Sequence, residues 1–193
     1  VFDKTGTLTI GYPQVAEVIP IAPFGADEAL AIAAAIEHFS GHLLARSTVN
    51  AALARGLEIP VAHTAIETAG RGVAGIVGAR QVAIGSLSFV AAAQPTAVAA
   101  LTALHERTSG LRACLAVDGV GAAIITYADL ARDGLPAFFA ELRALGVTRI
   151  LLLSGDHEAN VAEIARRFGI TEARGDLLPA GKVAVVRELL AQG

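Results

Sequence analysis

The chain has 193 residues, 54% hydrophobic and 17% charged, with a formal net charge of -3. A chain this apolar can bury the core of one large domain or two small ones, which excludes disorder. Its Lys and Arg residues are scattered, so no basic stripe exists to neutralise phosphates, and a nucleic-acid partner is excluded.

Val1 and Phe2 read as the end of a buried strand that runs into Asp3. From about Gly11 to Ile125, helices mix with alternating strands. A helix is predicted over Asp27–Phe39, with Asp27 as its cap and Leu30, Ala33, Ala34 and Glu37 along one side. A second is predicted from about His42 to Arg55, stopped by Gly56. Val73–Val77 and Gln81–Ile84 read as short strands joined around Gly78. Arg112–Val117 and Val120–Thr126 read as a hairpin turning at Asp118-Gly119. The single cysteine, Cys114, excludes an intrachain disulfide and a cysteine-based metal site, and in the run Ala113–Val117 it reads as a small buried hydrophobe. Two strand pairs separated by helices predict an antiparallel sheet with helical cover.

From about Thr126, helix and strand alternate. A helix is predicted over Asp133–Leu145, ended by Gly146, then a fully apolar strand over Thr148–Leu153. A helix over Glu158–Phe168, a short strand near Ala173 and a helix over Ala180–Ala191 follow. This β-α repetition predicts a doubly wound parallel sheet. No apolar run reaches the roughly 18–20 residues that cross a bilayer. No signal peptide is visible ahead of Val1-Phe2-Asp3, so the expectation is a soluble α/β segment.

The sharpest chemical signal is Asp3-Lys4-Thr5-Gly6-Thr7-Leu8-Thr9. A strand delivers a carboxylate at its C-terminal end, where open α/β sheets place their ligands. Gly6 lets the backbone bend around a phosphate, and Thr5 and Thr7 offer hydroxyls and amides to its oxygens. A carboxylate nucleophile can take a phosphoryl group and release it later. Gly70-Arg71-Gly72-Val73-Ala74-Gly75 spells a dinucleotide-binding pattern, but it runs into strands rather than a helix, so that reading is set aside.

The run D-K-T-G-T-L-T at residues 3–9 resembles the signature of P-type ATPases, a branch of the haloacid dehalogenase superfamily. The resemblance implies that Asp3 is phosphorylated by ATP and that Thr5 joins it in holding Mg²⁺ and phosphate. Ser154-Gly155-Asp156 resembles the family's T-G-D, and Leu178-Pro179-Ala180-Gly181-Lys182 its L-P-x-x-K. By that resemblance the Ser154 hydroxyl holds a phosphate oxygen at a helix N-terminus. Lys182 then neutralises charge on the transferring group, and Lys4, Gly6, Gly155 and Asp156 complete the phosphate site. Ser40-Gly41-His42-Leu43-Leu44-Ala45 resembles the S-x-H-P-L-A of the heavy-metal transporters, with Leu43 in the Pro position. That branch implies adenine contacts from Glu37 and His42, and close approach of the nucleotide to Gly70 and Gly72. Gly85-Ser86 falls where the family has G-N. Asp129-Leu130-Ala131-Arg132-Asp133 resembles the family's D-x-x-R-P, with Asp129 organising a hinge near the phosphorylation site; a simple cap explains it too.

The resemblance covers the whole chain. It implies a Rossmann-like phosphorylation domain over 1–10 and 126–193, with an inserted α+β nucleotide-binding domain over 11–125, the hinge between them carrying ATP to Asp3. In the family's order the G-D-G-x-N-D that supplies a magnesium carboxylate follows Gly193. The expectation is therefore a C-terminally truncated fragment with little or no turnover of its own. Its parent would sit in a cell membrane, with these domains on the cytoplasmic face, partnered by actuator and transmembrane domains and by the transported heavy-metal cation. Two rival readings are a soluble haloacid dehalogenase-type phosphatase and a non-catalytic nucleotide-binding module.

Overall fold

The computed structural model describes residues 1–191. The chain divides into two compact units, one of Val1–Tyr12 with Asp129–Gly193 and one of Pro13–Ala128. Among the described residues no helix is long and apolar enough to cross a membrane.

The first unit holds a three-stranded parallel sheet in the order β1 (Phe2–Asp3), β8 (Leu151–Leu153), β9 (Glu172–Arg174). Helices α5 (Leu135–Ala144), α6 (Glu158–Arg167) and α7 (Pro179–Ala191) flank it. Strand residues alternate between faces. Leu152 packs with Leu8, Phe139, Val161 and Phe168, whereas Leu151 and Leu153 pack with Val185 of α7. The central strand is thus covered on both faces, which is why its sequence is apolar without alternation. Phe2 meets the rings of Phe138 and Phe139 edge-on, at 5.8 and 5.4 Å between centroids. These contacts hold the two-residue β1 in place. Each large side chain so buried contributes about 1.5–3 kcal/mol.

The second unit is built on a six-stranded antiparallel sheet in the order β2-β7-β6-β5-β4-β3. Its strands are β2 (Gln14–Pro20), β3 (Ala62–Thr68), β4 (Gly72–Val77), β5 (Arg80–Gly85), β6 (Leu111–Val117) and β7 (Val120–Ala128). Helices α1 (Ala26–Glu37) and α2 (Leu43–Ala54) cover one face, where Leu30, Ala33 and Ile36 meet Val73, Ile84, Leu115 and Ile125. Helices α3 (Leu87–Ala93) and α4 (Val98–Arg107) cover the other, where Val90 and Leu101 meet Ala83, Cys114 and Ile124. Cys114 is a buried hydrophobe, as expected, and burial pushes its thiol up to about 11.

Several sequence expectations need correction. Asp27 does not cap α1: the capping position is Gly25, and Asp27 lies in the first turn, where it favours the helix dipole and pairs with Arg55 at 3.1 Å. The antiparallel sheet has six strands rather than two pairs, because β2 and β3 form its edges. Helices α3 and α4 add a layer that the sequence reading passes over. The Asp118-Gly119 turn stands as expected. Both residues have positive φ, 50° and 78°, as a two-residue hairpin of the right twist requires. The Asp118 carboxylate also accepts the Gln81 N–H at 2.8 Å, so local structure accounts for this pair.

Candidate functional site

In the first unit, Asp3 registers with Leu153 across parallel strands. The segment after Asp3 and the segment Ser154-Gly155-Asp156 therefore leave adjacent strands at the same carboxyl edge of the sheet, the ligand-binding edge of open α/β folds. The Asp3 side chain is 46% exposed. Its Oδ1 accepts the Lys4 N–H at 2.9 Å and the Nζ of Lys182 at 2.6 Å. Lys182 reaches it from the first turn of α7, where its N–H bonds the Leu178 carbonyl at 3.1 Å.

Residues 4–8 turn tightly about Gly6, whose φ of 77° suits glycine. Thr9 closes the turn: its hydroxyl accepts the Gly6 N–H at 3.3 Å and donates to Asp129 Oδ2 at 2.5 Å. Asp129 Oδ1 accepts the Gly11 N–H at 2.8 Å. The carboxylate expected at the hinge thus ties the outgoing chain, residues 9–11, to the returning chain. Arg132 completes the tie by donating to the carbonyls of Thr7, at 3.1 Å, and Gly6, at 3.2 Å.

Lys4 is buried, and its ammonium pairs with the Asp156 carboxylate, joining the two loops that flank Asp3. Ser154 is buried, and its hydroxyl accepts the Asp156 N–H at 3.1 Å. Helix α6 begins only at Glu158, so Ser154 shapes the loop ahead of that helix rather than capping it. Gly175 lets the end of β9 approach this loop: a Cβ there would fall 2.5 Å from Glu158 Cα and 2.7 Å from the Asp156 carbonyl oxygen.

In the second unit, Glu37, His42, Gly70 and Gly72 line one cleft of about 250 Å³, together with Ser40, Glu67, Arg71 and Arg112. His42 is the N-cap of α2, its Nδ1 accepting the Leu44 N–H at 3.2 Å, which leaves Nε2 as the nitrogen available to a ligand. Leu43 follows at the first helical position, where proline is also well suited, so the helix begins normally without it. Gly70, φ 70°, turns β3 into β4. Gly72 lies opposite Gly85, and a Cβ on it would fall 2.3 Å from the Ile84 carbonyl oxygen. The G-x-G therefore has a backbone reason in the hairpin beside its place in the cleft. The segment 70–75 runs into β4, a strand, as expected when the dinucleotide pattern was set aside. Ser86, in the family's Asn position, caps α3 by accepting the Phe89 N–H at 3.2 Å.

Glu37 is only 8% exposed, at the end of α1. Burial, with the nearby Glu67 carboxylate adding repulsion, raises its carboxyl to about 7. Glu67 is held in turn by the Ser40 hydroxyl at 2.7 Å.

A model of the haloacid dehalogenase-like hydrolases matches residues 1–193. The chain belongs to that family. It is 38% identical over 201 residues to the cation-transporting P-type ATPase B of Mycobacterium bovis, an alignment covering 100% of this chain and 26% of that protein. It resembles the crystal structure of a zinc-transporting PIB-type ATPase in the E2.Pi state, with 33% identity and a TM-score of 0.70, over 100% of this chain and 31% of that one. It also resembles the catalytic domain of the CPx-ATPase CopB-B, described for conformational changes upon nucleotide binding. There the identity is 26% and the TM-score 0.54, over 100% of this chain and 66% of that one. The chain spans about a quarter of the length of the curated relatives it matches. Those relatives include heavy-metal P-type ATPases aligned along the whole chain.

Within this hydrolase family fold, sequence reasoning missed the groups that act through the backbone. Arg132 stands inside the D-x-x-R stretch quoted for Asp129, yet its bonds go to carbonyls that no side-chain pattern reports. Glu67, Arg71 and Arg112 enter the cleft from β3, the following turn and β6, elements whose pairing brings together residues far apart in sequence.

Proposed function

We propose that this chain is the ATP-binding and phosphorylation region of a heavy-metal cation-translocating P-type ATPase, working at the cytoplasmic face of a membrane. In this reading Asp3 takes the γ-phosphoryl group of ATP. The observation that carries it is the Lys182 ammonium on the exposed Asp3 carboxylate, at the carboxyl edge of a parallel sheet. The metal-transporting relatives support the transport assignment, and the nucleotide-linked catalytic domain supports ATP as the ligand.

An Asp3 oxygen attacks the γ-phosphorus in line. The bond from that phosphorus to the bridging oxygen breaks, and its electron pair leaves with ADP. Water later attacks the phosphorus of the acyl phosphate, releasing inorganic phosphate and restoring the carboxylate. Lys182 offsets the charge that two anionic groups bring together. The Ser154 hydroxyl, the Gly155 N–H and the amides and hydroxyls of the Gly6 turn are the donors for phosphoryl oxygens. The Lys4–Asp156 pair, and Asp129 with Arg132, keep these loops in register.

Mg²⁺ keeps several waters and takes one or two carboxylates beside substrate phosphates, so the donor set of Asp3 and Thr5 suits it. When bound, it supplies charge neutralisation and alignment of the phosphate oxygens. The second unit, Pro13–Ala128, forms the nucleotide-binding part, with Glu37 and His42 on the adenine and Gly70 and Gly72 close beside it. The transported cation and the membrane and actuator parts are the partners this function implies.

The full-length parent, turned over on γ-labelled ATP and quenched in acid, is expected to carry label that hydroxylamine removes, as it does from an acyl phosphate. Label stable to hydroxylamine would overturn the assignment.

A further inference from the structure

The cleft of the second unit is lined by a carboxyl group, that of Glu37. Glu37 is almost buried, yet among the described residues its carboxyl takes part in no hydrogen bond. Glu37 lines the cleft, so a ligand seated there can pair with its carboxyl. The chemistry of that pairing depends on its proton. A neutral carboxyl offers one donor beside one acceptor, whereas an ionised one offers acceptors only. The Watson–Crick edge of adenine presents the N6 amino donor beside the N1 acceptor. That of guanine presents two adjacent donors, N1–H and the N2 amino group.

We propose that Glu37 selects the purine base through its proton, pairing with adenine as a neutral acid and accepting guanine once ionised. The inference rests on reading this cleft as a nucleotide site.

The surroundings favour the neutral acid. Glu67 on β3 faces it with like charge, and Tyr127 on β7 also senses it. The Tyr127 hydroxyl lies 2.8 Å from that of Thr48 on α2, and burial holds it un-ionised. His42 at the start of α2, Arg71 before β4 and Arg112 on β6 line the same cleft. Of the two arginines, Arg112 is partly engaged, bonding the Gly110 carbonyl at 2.9 Å and His105 at 3.2 Å. Burial, with the Glu67 carboxylate adding repulsion, puts the Glu37 carboxyl at about 7, so its ionisation falls within the neutral range.

The test titrates the full chain with ATP and with GTP on either side of neutrality. The ratio of the two affinities cancels the ionisation of the triphosphate, which both share. In the wild-type chain the ATP:GTP ratio is expected to fall at least about tenfold from about pH 6 to about pH 8. Glu37→Gln, whose amide keeps one donor and one acceptor but cannot ionise, is expected to hold the acidic ratio at both. Carbon NMR of the Glu37 carboxyl gives a second readout that needs no variant: ATP should raise its titration midpoint and GTP lower it. A pH-independent ratio in the wild type, a fall that persists in Glu37→Gln, or a midpoint unmoved by either nucleotide overturns the inference while nucleotide binding stands. Failure of ATP to bind at either pH overturns the nucleotide reading itself, and this inference with it.

Discussion

The two units assemble their sites from opposite materials. The first places charged groups at an open sheet edge: Asp3 against Lys182, and Lys4 against Asp156. The second lines a cleft with glycines, a capping histidine and a carboxyl that has no hydrogen-bond partner among the described residues. Transfer of a phosphoryl group develops charge, and charge is met by fixed ions. Choice of a base needs shape and hydrogen-bond pattern, which gain force where water is excluded. Changes in the first unit should therefore act on rate, and changes in the second on affinity and stability.

With the proposed nucleophile left in place, the largest effect is expected from Lys182→Ala. The Asp3–Lys182 pair is part-exposed, so its loss should change stability little. Phosphorylation should slow about 10²–10³-fold, the scale of one lost charge-stabilising donor, while ATP affinity holds. Equal losses in rate and affinity would break the division between the units.

Glu37→Gln should act next most strongly, through stability. The folded carboxyl titrates at about 7, against an ordinary value of 4.5. Between these values the folded state keeps a proton that the unfolded chain has released, so stability falls as pH rises, and the full penalty applies above about 7. Removing the ionisable group should stabilise the second unit by at most about 3 kcal/mol at alkaline pH. Below the ordinary carboxylate value it should change little. Denaturant unfolding at both extremes checks the sign, and a gain confined to acid would contradict it.

The smallest effect is expected from His42→Ala, which should weaken ATP binding by about 1–2 kcal/mol, the scale of a hydrogen bond lost from one partner. Phosphorylation of Asp3 at saturating ATP should be unchanged. A comparable loss of rate at saturation would give His42 a part in the chemistry.

Legibility in the sequence followed burial and side-chain chemistry. β8 was readable because both its faces are buried, so Leu151–Leu153 is apolar throughout. β3 was not, because it is a sheet edge whose outward residues are polar or exposed, Ile66 at 75% among them. Helix faces were readable where Leu30, Ala33 and Ala34 repeat, but the start of α1 was not: a glycine occupies its cap, leaving Asp27 as the nearest side chain of capping type. Asp3, Ser154 and Lys182 could be picked out by the resemblance of their motifs, in order, to those of the P-type ATPases, and the sheet and α7 supply the proximity of Asp3 to Lys182. Arg132 and Gly175 act on backbone and on close approach, which leave little trace in a single sequence.

The most direct measurement is incorporation of γ-labelled phosphate into the full-length parent carrying Asp3→Asn, with ATP affinity measured on the same preparation. Asn keeps the shape of the side chain but has no carboxylate to form an acyl phosphate. Label is expected to vanish while ATP affinity stays nearly unchanged, because the groups proposed to bind the base lie in the other unit. A hydroxylamine-sensitive label that persists in Asp3→Asn would contradict the assignment of Asp3 as the nucleophile.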